Sequence, residues 1–229
     1  MWEWIKNLWQ PAESSVKPKQ TKTVENNEIK IGKEAIDLIL EFEGIDQPYK
    51  RPPGASGITL GYGFDLGFYT LAEFKDAWER HLSPTNFKLL ATALGKSGQS
   101  AEIIKNRFRG MAPITKFQAR EVFDRCTIPK WKKAAAKTFP GMEILSPNQQ
   151  GVLISIVFNR GTSLEGSRRT EMKNIATILK SSFSKEEKVK KITSQILAMQ
   201  RVWPSEDGST GHPGLRRRRR AEAALFDKG

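Results

Sequence analysis

Residues 58–67, Ile-Thr-Leu-Gly-Tyr-Gly-Phe-Asp-Leu-Gly, alternate apolar side chains with small or polar ones, in a chain whose other patterns are helical. Period-two alternation describes backbone with one buried face and one open face. Ile58, Leu60, Tyr62, Phe64 and Leu66 make the apolar set; Thr59, Gly61, Gly63, Asp65 and Gly67 make the other. Drawn as one straight strand at ~3.3 Å per residue, Thr59 and Asp65 stand roughly 20 Å apart and cannot act on one atom. Glycine admits positive φ, so Gly61-Tyr62-Gly63 predicts the turn of a hairpin. Thr59 then faces Asp65 with β-carbons about 5 Å apart. A hydroxyl and a carboxylate that close can share one water.

This is the one region that reads clearly as β, so the expected class is α+β, predominantly α. Beyond residue 30 the helix signals recur. Lys33 to Gly44 carries apolar Ile36, Leu38, Ile39, Leu40 and Phe42, with Gly44 as the expected C-terminal stop. Thr70 with Glu73, Thr115 with Gln118, Ser146 with Gln149 and Ser184 with Glu187 have capping-box spacing. Ser83-Pro84 and Ser146-Pro147 add a proline in the first turn, where its missing donor costs nothing. Residues 151–161, Gly-Val-Leu-Ile-Ser-Ile-Val-Phe-Asn-Arg-Gly, are apolar nearly all round and predict a helix in the middle of the domain, ended by Gly161. The last helix is expected over Arg216 to Phe226, with Ala221, Ala224, Leu225 and Phe226 as its docking face and its arginines pointing in several directions.

Residues 10–29 are polar and rich in Pro, Ser, Thr and Lys, which reads as a linker. The segment before it places Trp2, Ile5 and Trp9 at helical spacing, as a frayed arm or as a peptide for a membrane interface or delivery partner. The expected organisation is an arm and linker over 1–29 and one domain over 30–229. No apolar run approaches the ~18 residues of a membrane span, and no signal peptide is recognisable. One cysteine and two histidines leave no disulfide and no zinc site to expect; neither metal nor cofactor is expected. A net charge of +13 favours an anionic partner, whether nucleic acid, membrane surface or acidic polymer.

Glu43 closes the first predicted helix. A helix C-terminus is partly negative, which disfavours an ionised carboxylate, and apolar neighbours push the same way. An acid that stays protonated near neutrality can donate to a leaving oxygen. Glu41 points elsewhere and reads as a surface acid. The glycines at 54, 57, 61 and 63 fit no phosphate-binding loop.

Taken together, Glu43-Gly44 and Thr59-Leu60-Gly61-Tyr62-Gly63 resemble the active-site signature of phage-type lysozymes, glycoside hydrolase family 24. Two further segments resemble that family in the same order: residues 146–161, with Gln149, Phe158, Asn159 and Gly161, and the Gly-Leu-x-x-Arg-Arg-x-Ala-Glu-like stretch from Gly214. The resemblance spans about residues 30 to 227. It departs from many phage lysozymes after Tyr49, where Lys50 and Arg51 stand in place of an Asp, and the longer loop to Thr59 is more like the pesticin branch. In that branch the second carboxylate follows the threonine by six positions, which is Asp65; Asp46 is the fallback.

What the resemblance implies is a lysozyme-like fold, with a small glycine-rich hairpin lobe and a larger helical lobe. The activity implied is hydrolysis of the β-1,4 bond between N-acetylmuramic acid and N-acetylglucosamine in peptidoglycan. Glu43 is then the acid, Asp65 and Thr59 hold the attacking water, and Tyr62 and Asn159 bind substrate; the longer loop favours inversion. A monomer made in the cytoplasm and delivered to the cell wall through a holin, a virion or a secretion system is expected, acting on glycan strands of an anionic envelope. Two alternatives stay open: a peptidoglycan-binding module without catalysis, and a nucleic-acid-binding protein, which no recognisable motif supports.

Overall fold

The structure, a computed structural model, describes residues 28–50, 55–203 and 212–229; the Trp-containing arm and the linker through residue 27 lie outside them. Among the described residues, ten α-helices and two strands follow in chain order. Helix α1 is Lys33–Phe42, strands β1 and β2 are Thr59–Leu60 and Phe64–Asp65, and then come α2 (Leu71–Trp78), α3 (Pro84–Ala91) and α4 (Gly98–Ile104). The remainder is α5 (Lys116–Val122), α6 (Ile128–Thr138), α7 (Pro147–Arg160), α8 (Thr170–Lys180), α9 (Lys185–Ala198) and α10 (Pro213–Lys228). Among the described residues the only sheet is the antiparallel pair β1–β2, so the class is α+β and predominantly helical.

Local chemistry sets most of the helix starts. All four expected capping boxes form, at Thr70, Thr115, Ser146 and Ser184, each hydroxyl taking the backbone N–H three residues on. Ser83 caps α3 in the same way with Pro84 behind it. The end of α1 differs from expectation. Gly44 does not adopt the left-handed conformation of a glycine stop. Glu43 instead leaves the helix extended, at φ −103° and ψ 124°, while its N–H still donates to Ile39. The chain is then pulled away by the bridge of Asp46 to Gly61, with reciprocal N–H···O bonds of 2.8 and 2.9 Å. A tertiary hydrogen-bond pair thus does the work assigned to glycine.

Helix α7 is the centre of the molecule. Every residue from Gln149 to Val157 is buried, and α1, α6 and α10 pack around it. Its apolar circumference explains the burial, since a helix with no polar face has no face to give to water. Gly161 ends it at φ 76°. Gln149 serves both the cap and the packing: its side-chain amide donates to the Phe226 carbonyl, tying the start of α7 to the end of α10. Along α10 the buried residues are Arg218, Arg219, Glu222, Ala223, Leu225 and Phe226. Ala224, expected on the docking face, is exposed, because Ala223 and the charged trio occupy the inward positions of the 3.6-residue repeat.

From Lys116 to Thr138 the backbone is one rod, in which α5 passes into α6 through a π-helical turn at Phe123–Thr127. Pro129 follows that turn, and a widened turn accommodates a ring that lacks an N–H and would crowd the preceding carbonyls.

Candidate active site

The hairpin forms as its sequence predicts. Thr59 pairs with Asp65 and Leu60 with Phe64, and Gly61 and Gly63 hold φ of 58° and 69° in the turn. All five apolar side chains of the alternating set are buried. The other face is not open to bulk solvent: Thr59 is buried too, and its hydroxyl lies 3.5 Å from the Gly57 carbonyl. Asp65 is fixed by two backbone donors, Gly57 N–H at 2.9 Å and Gly67 N–H at 2.8 Å, and caps the short turn Leu66–Phe68. A carboxylate held from two sides cannot swing away from the threonine opposite it.

Gly63 is also where the hairpin meets α7. A β-carbon there would lie 2.5 Å from the ring of Phe158, at a φ that side chains avoid. Gly63→Ala is expected to lower stability by about 2–4 kcal/mol, from ~1 kcal/mol of left-handed strain and about 1–3 kcal/mol of overpacking. Thermal denaturation reads this directly; an unchanged melting temperature would mean that Phe158 moves aside freely.

Glu43, Asp46, Thr59 and Asp65 line one cleft of about 770 Å³, together with Trp131, Phe158 and Asn159. That size is within the range of small-ligand sites, about 300–1,000 Å³. Of the five residues expected at the site, four are therefore brought together. Tyr62 is not. Its ring is 6% exposed, packs edge-on against Phe123, and borders a separate depression with Glu41 and Arg120. The period-two pattern itself dictates this, because Tyr62 shares the buried face with Leu60 and Phe64 while the cleft takes the other face.

Glu43 meets a partner that its helix-end position did not suggest. The Arg218 guanidinium donates to its Oε1 at 2.5 Å, across 175 residues of sequence. Arg218 also donates to Glu222 Oε1 at 3.1 Å and to Ser155 Oγ at 2.9 Å. Glu222 Oε1 further accepts from Ser155 Oγ at 2.6 Å and from Arg219 at 2.8 Å, and Arg219 reaches Asn159 Oδ1 at 3.3 Å. Arg218, Arg219 and Glu222 are 2%, 0% and 0% exposed, and α7 and α1 close over them. Burial works against the Arg218 charge, but Glu222 and Glu43 outweigh it and raise its pKa. Beside the helix end and apolar neighbours expected around Glu43, the structure adds a buried cation that holds its carboxyl. Asn159 lines the cleft and is anchored by the same network.

The carboxyl whose titration is displaced is Asp46. Burial first, then the like charges of Glu43 and Asp65, push its pKa up to about 7, against a smaller opposing bond from the Gly63 N–H. Asp46 therefore holds its proton well above the usual aspartate range, up to near neutral pH. Since the folded pKa lies above the usual aspartate value, the folded state binds the extra proton between about pH 4 and 7. Stability from this group is complete below about pH 4 and is lost as pH rises through about 7. Asp46→Asn, whose amide oxygen can still accept from Gly63, is expected to melt higher than the parent at pH 8 and no higher at pH 4. Equal differences at both pH values would refute a displaced titration at Asp46.

Trp131 and Lys130, absent from the residues picked out of the sequence, complete the cleft. The Trp131 indole N–H is buried with no acceptor among the described residues. Lys130 lies over the Tyr69 ring at 3.5 Å and donates to the Phe68 carbonyl at 2.8 Å. No short sequence pattern marks either residue. For Arg218, the signal was a run of five arginines entering a predicted helix, and for Ser155 a lone hydroxyl in an otherwise apolar one. Among the described residues no group of His, Cys, Asp and Glu is spaced to hold a metal ion, and no helix is long and apolar enough to cross a membrane.

No protein-family model matches the chain, and no curated protein matches it either.

Proposed function

We propose that this protein is a lysozyme-like muramidase that hydrolyses the β-1,4 bond between N-acetylmuramic acid and N-acetylglucosamine. The observation that supports the reading is the meeting of Glu43, Thr59, Asp65 and Asn159, drawn from three distant parts of the sequence, in one cleft. Each carries its own chemistry there. Glu43 donates a proton to the departing glycosidic oxygen, and Arg218 fixes the direction of that carboxyl. Asp65, immobilised by Gly57 and Gly67, takes the proton of a water held between it and Thr59, its partner across the ladder. As the bond to the leaving oxygen breaks, that water attacks the sugar carbon from the opposite face, which inverts the configuration. Phe158 offers an apolar surface for a ring face.

Peptidoglycan is anionic, so a chain of net charge +13 is drawn to it. The reaction takes place in the cell wall, after delivery by a holin, a virion or a secretion system. The test is release of new reducing ends from purified peptidoglycan, with the anomer read by NMR before mutarotation. Reducing ends that appear as the inverted anomer are expected. Binding to the polymer without any release would make the protein a wall-binding module instead.

A further inference from the structure

We infer that a groove running on from the cleft along α6 binds the carboxylates of the peptide stems carried by the glycan. The inference rests on the muramidase reading and names a second part of the substrate. The groove, of about 700 Å³, shares Tyr69, Lys130, Ala134 and Thr162 with the cleft, so the two form one continuous surface. A glycan laid in the cleft carries a short peptide on every second sugar, and a stem projecting past the Tyr69 and Lys130 edge enters this groove.

Its charge is decided by which side chains are already matched. Glu73 pairs with Lys130 at 3.2 Å, and Asp76 pairs with Arg125 at 3.0 Å. Two cations remain. Lys133 and Lys137 line the groove, are exposed, and have neither ion pair nor hydrogen bond among the described residues. Four positions apart on α6, they stand on one face, one turn from each other. Two ammonium groups in a row suit a chain with carboxylates at intervals. Pro129, Ala134 and Leu164 offer the aliphatic contact that a peptide needs.

The test measures binding, independently of cleavage, in the full chain carrying Glu43→Gln so that strands are not consumed. The probes are fluorescently labelled uncrosslinked glycan strands with their stems, and the same strands stripped of stems by an amidase. Tighter binding of stem-bearing strands by about threefold to tenfold is expected, from two exposed charge pairs. That preference should shrink as salt rises. Adding Lys133→Glu and Lys137→Glu is expected to bring the ratio to about one or below, with the circular dichroism spectrum retained. Equal affinity for both strands before charge reversal, or a preference that survives it, overturns the inference. Failure of the unmodified protein to release reducing ends from the stem-bearing strands would instead overturn the muramidase reading, and the affinity ratio would remain readable.

Discussion

Glu43→Gln is expected to slow glycan hydrolysis by about a hundred- to ten-thousand-fold, the usual contribution of a positioned general acid. Glutamine keeps the shape of the side chain, and its amide oxygen can accept from Arg218, which holds the native carboxyl at 2.5 Å. What it lacks is a proton to give to a departing alkoxide. The loss should fall on kcat, with KM little changed and the melting temperature within a few degrees of the parent. Reducing-end release under saturating peptidoglycan, beside a thermal melt, measures both. A variant that cuts at the parent rate would remove Glu43 from the chemistry.

Asp65→Asn needs more care. Its two oxygens accept from Gly57 and Gly67, and an amide can satisfy only one of them. Part of any loss in that variant is loosening of the hairpin, by about 1–3 kcal/mol for the stranded donor. Glu43 is for that reason the cleaner position for the catalytic test. The pH profile adds a second measurement: the rate should fall as pH rises through about 7, where Asp46 loses its proton and brings a new negative charge into the cleft.

Arg218→Met should cause the largest loss of stability, about 3–5 kcal/mol, as when one partner of a buried ion pair is removed. Methionine fills much of the volume, so packing is a minor part of the effect. The deficit is electrostatic: Glu222, 0% exposed, keeps only Arg219 as a counter-ion, and Glu43 loses the guanidinium that holds it. At about 2–4 °C per kcal/mol for a domain of this size, the melting temperature should drop by roughly 6–20 °C. Arg218→Lys should fall between the two, since an ammonium keeps the charge but not the planar fork that spans Glu43, Glu222 and Ser155. A melting temperature unchanged in Arg218→Met would show that the buried network contributes nothing net. Hydrolysis should fall as well in that variant, because the Glu43 carboxyl is no longer aimed.

Features that depend on neighbours in sequence were legible from the sequence alone. A capping box is closed by residues three apart, so Thr70, Thr115, Ser146 and Ser184 could each be recognised without knowing what lay across the fold. The hairpin is similar: two glycines able to take positive φ, flanked by alternating apolar residues, fix both its turn and the pairing of Thr59 with Asp65. The all-round apolar surface of α7 likewise announced its burial, though not the helices that cover it.

Tertiary structure decided everything that depends on what a side chain meets after the chain comes back. Arg218 reaches Glu43 across 175 residues because α10 packs on α1 and α7; in the sequence it was one of five arginines. Asp46 had no local mark, and its high pKa comes from enclosure beside two other acids. Tyr62 had the opposite fate, lying in the same hairpin but on its buried face. Short-range hydrogen bonding and backbone sterics act between sequence neighbours and can be read from the chain. Desolvation and charge pairing depend on distance in space, and here packing alone sets that distance.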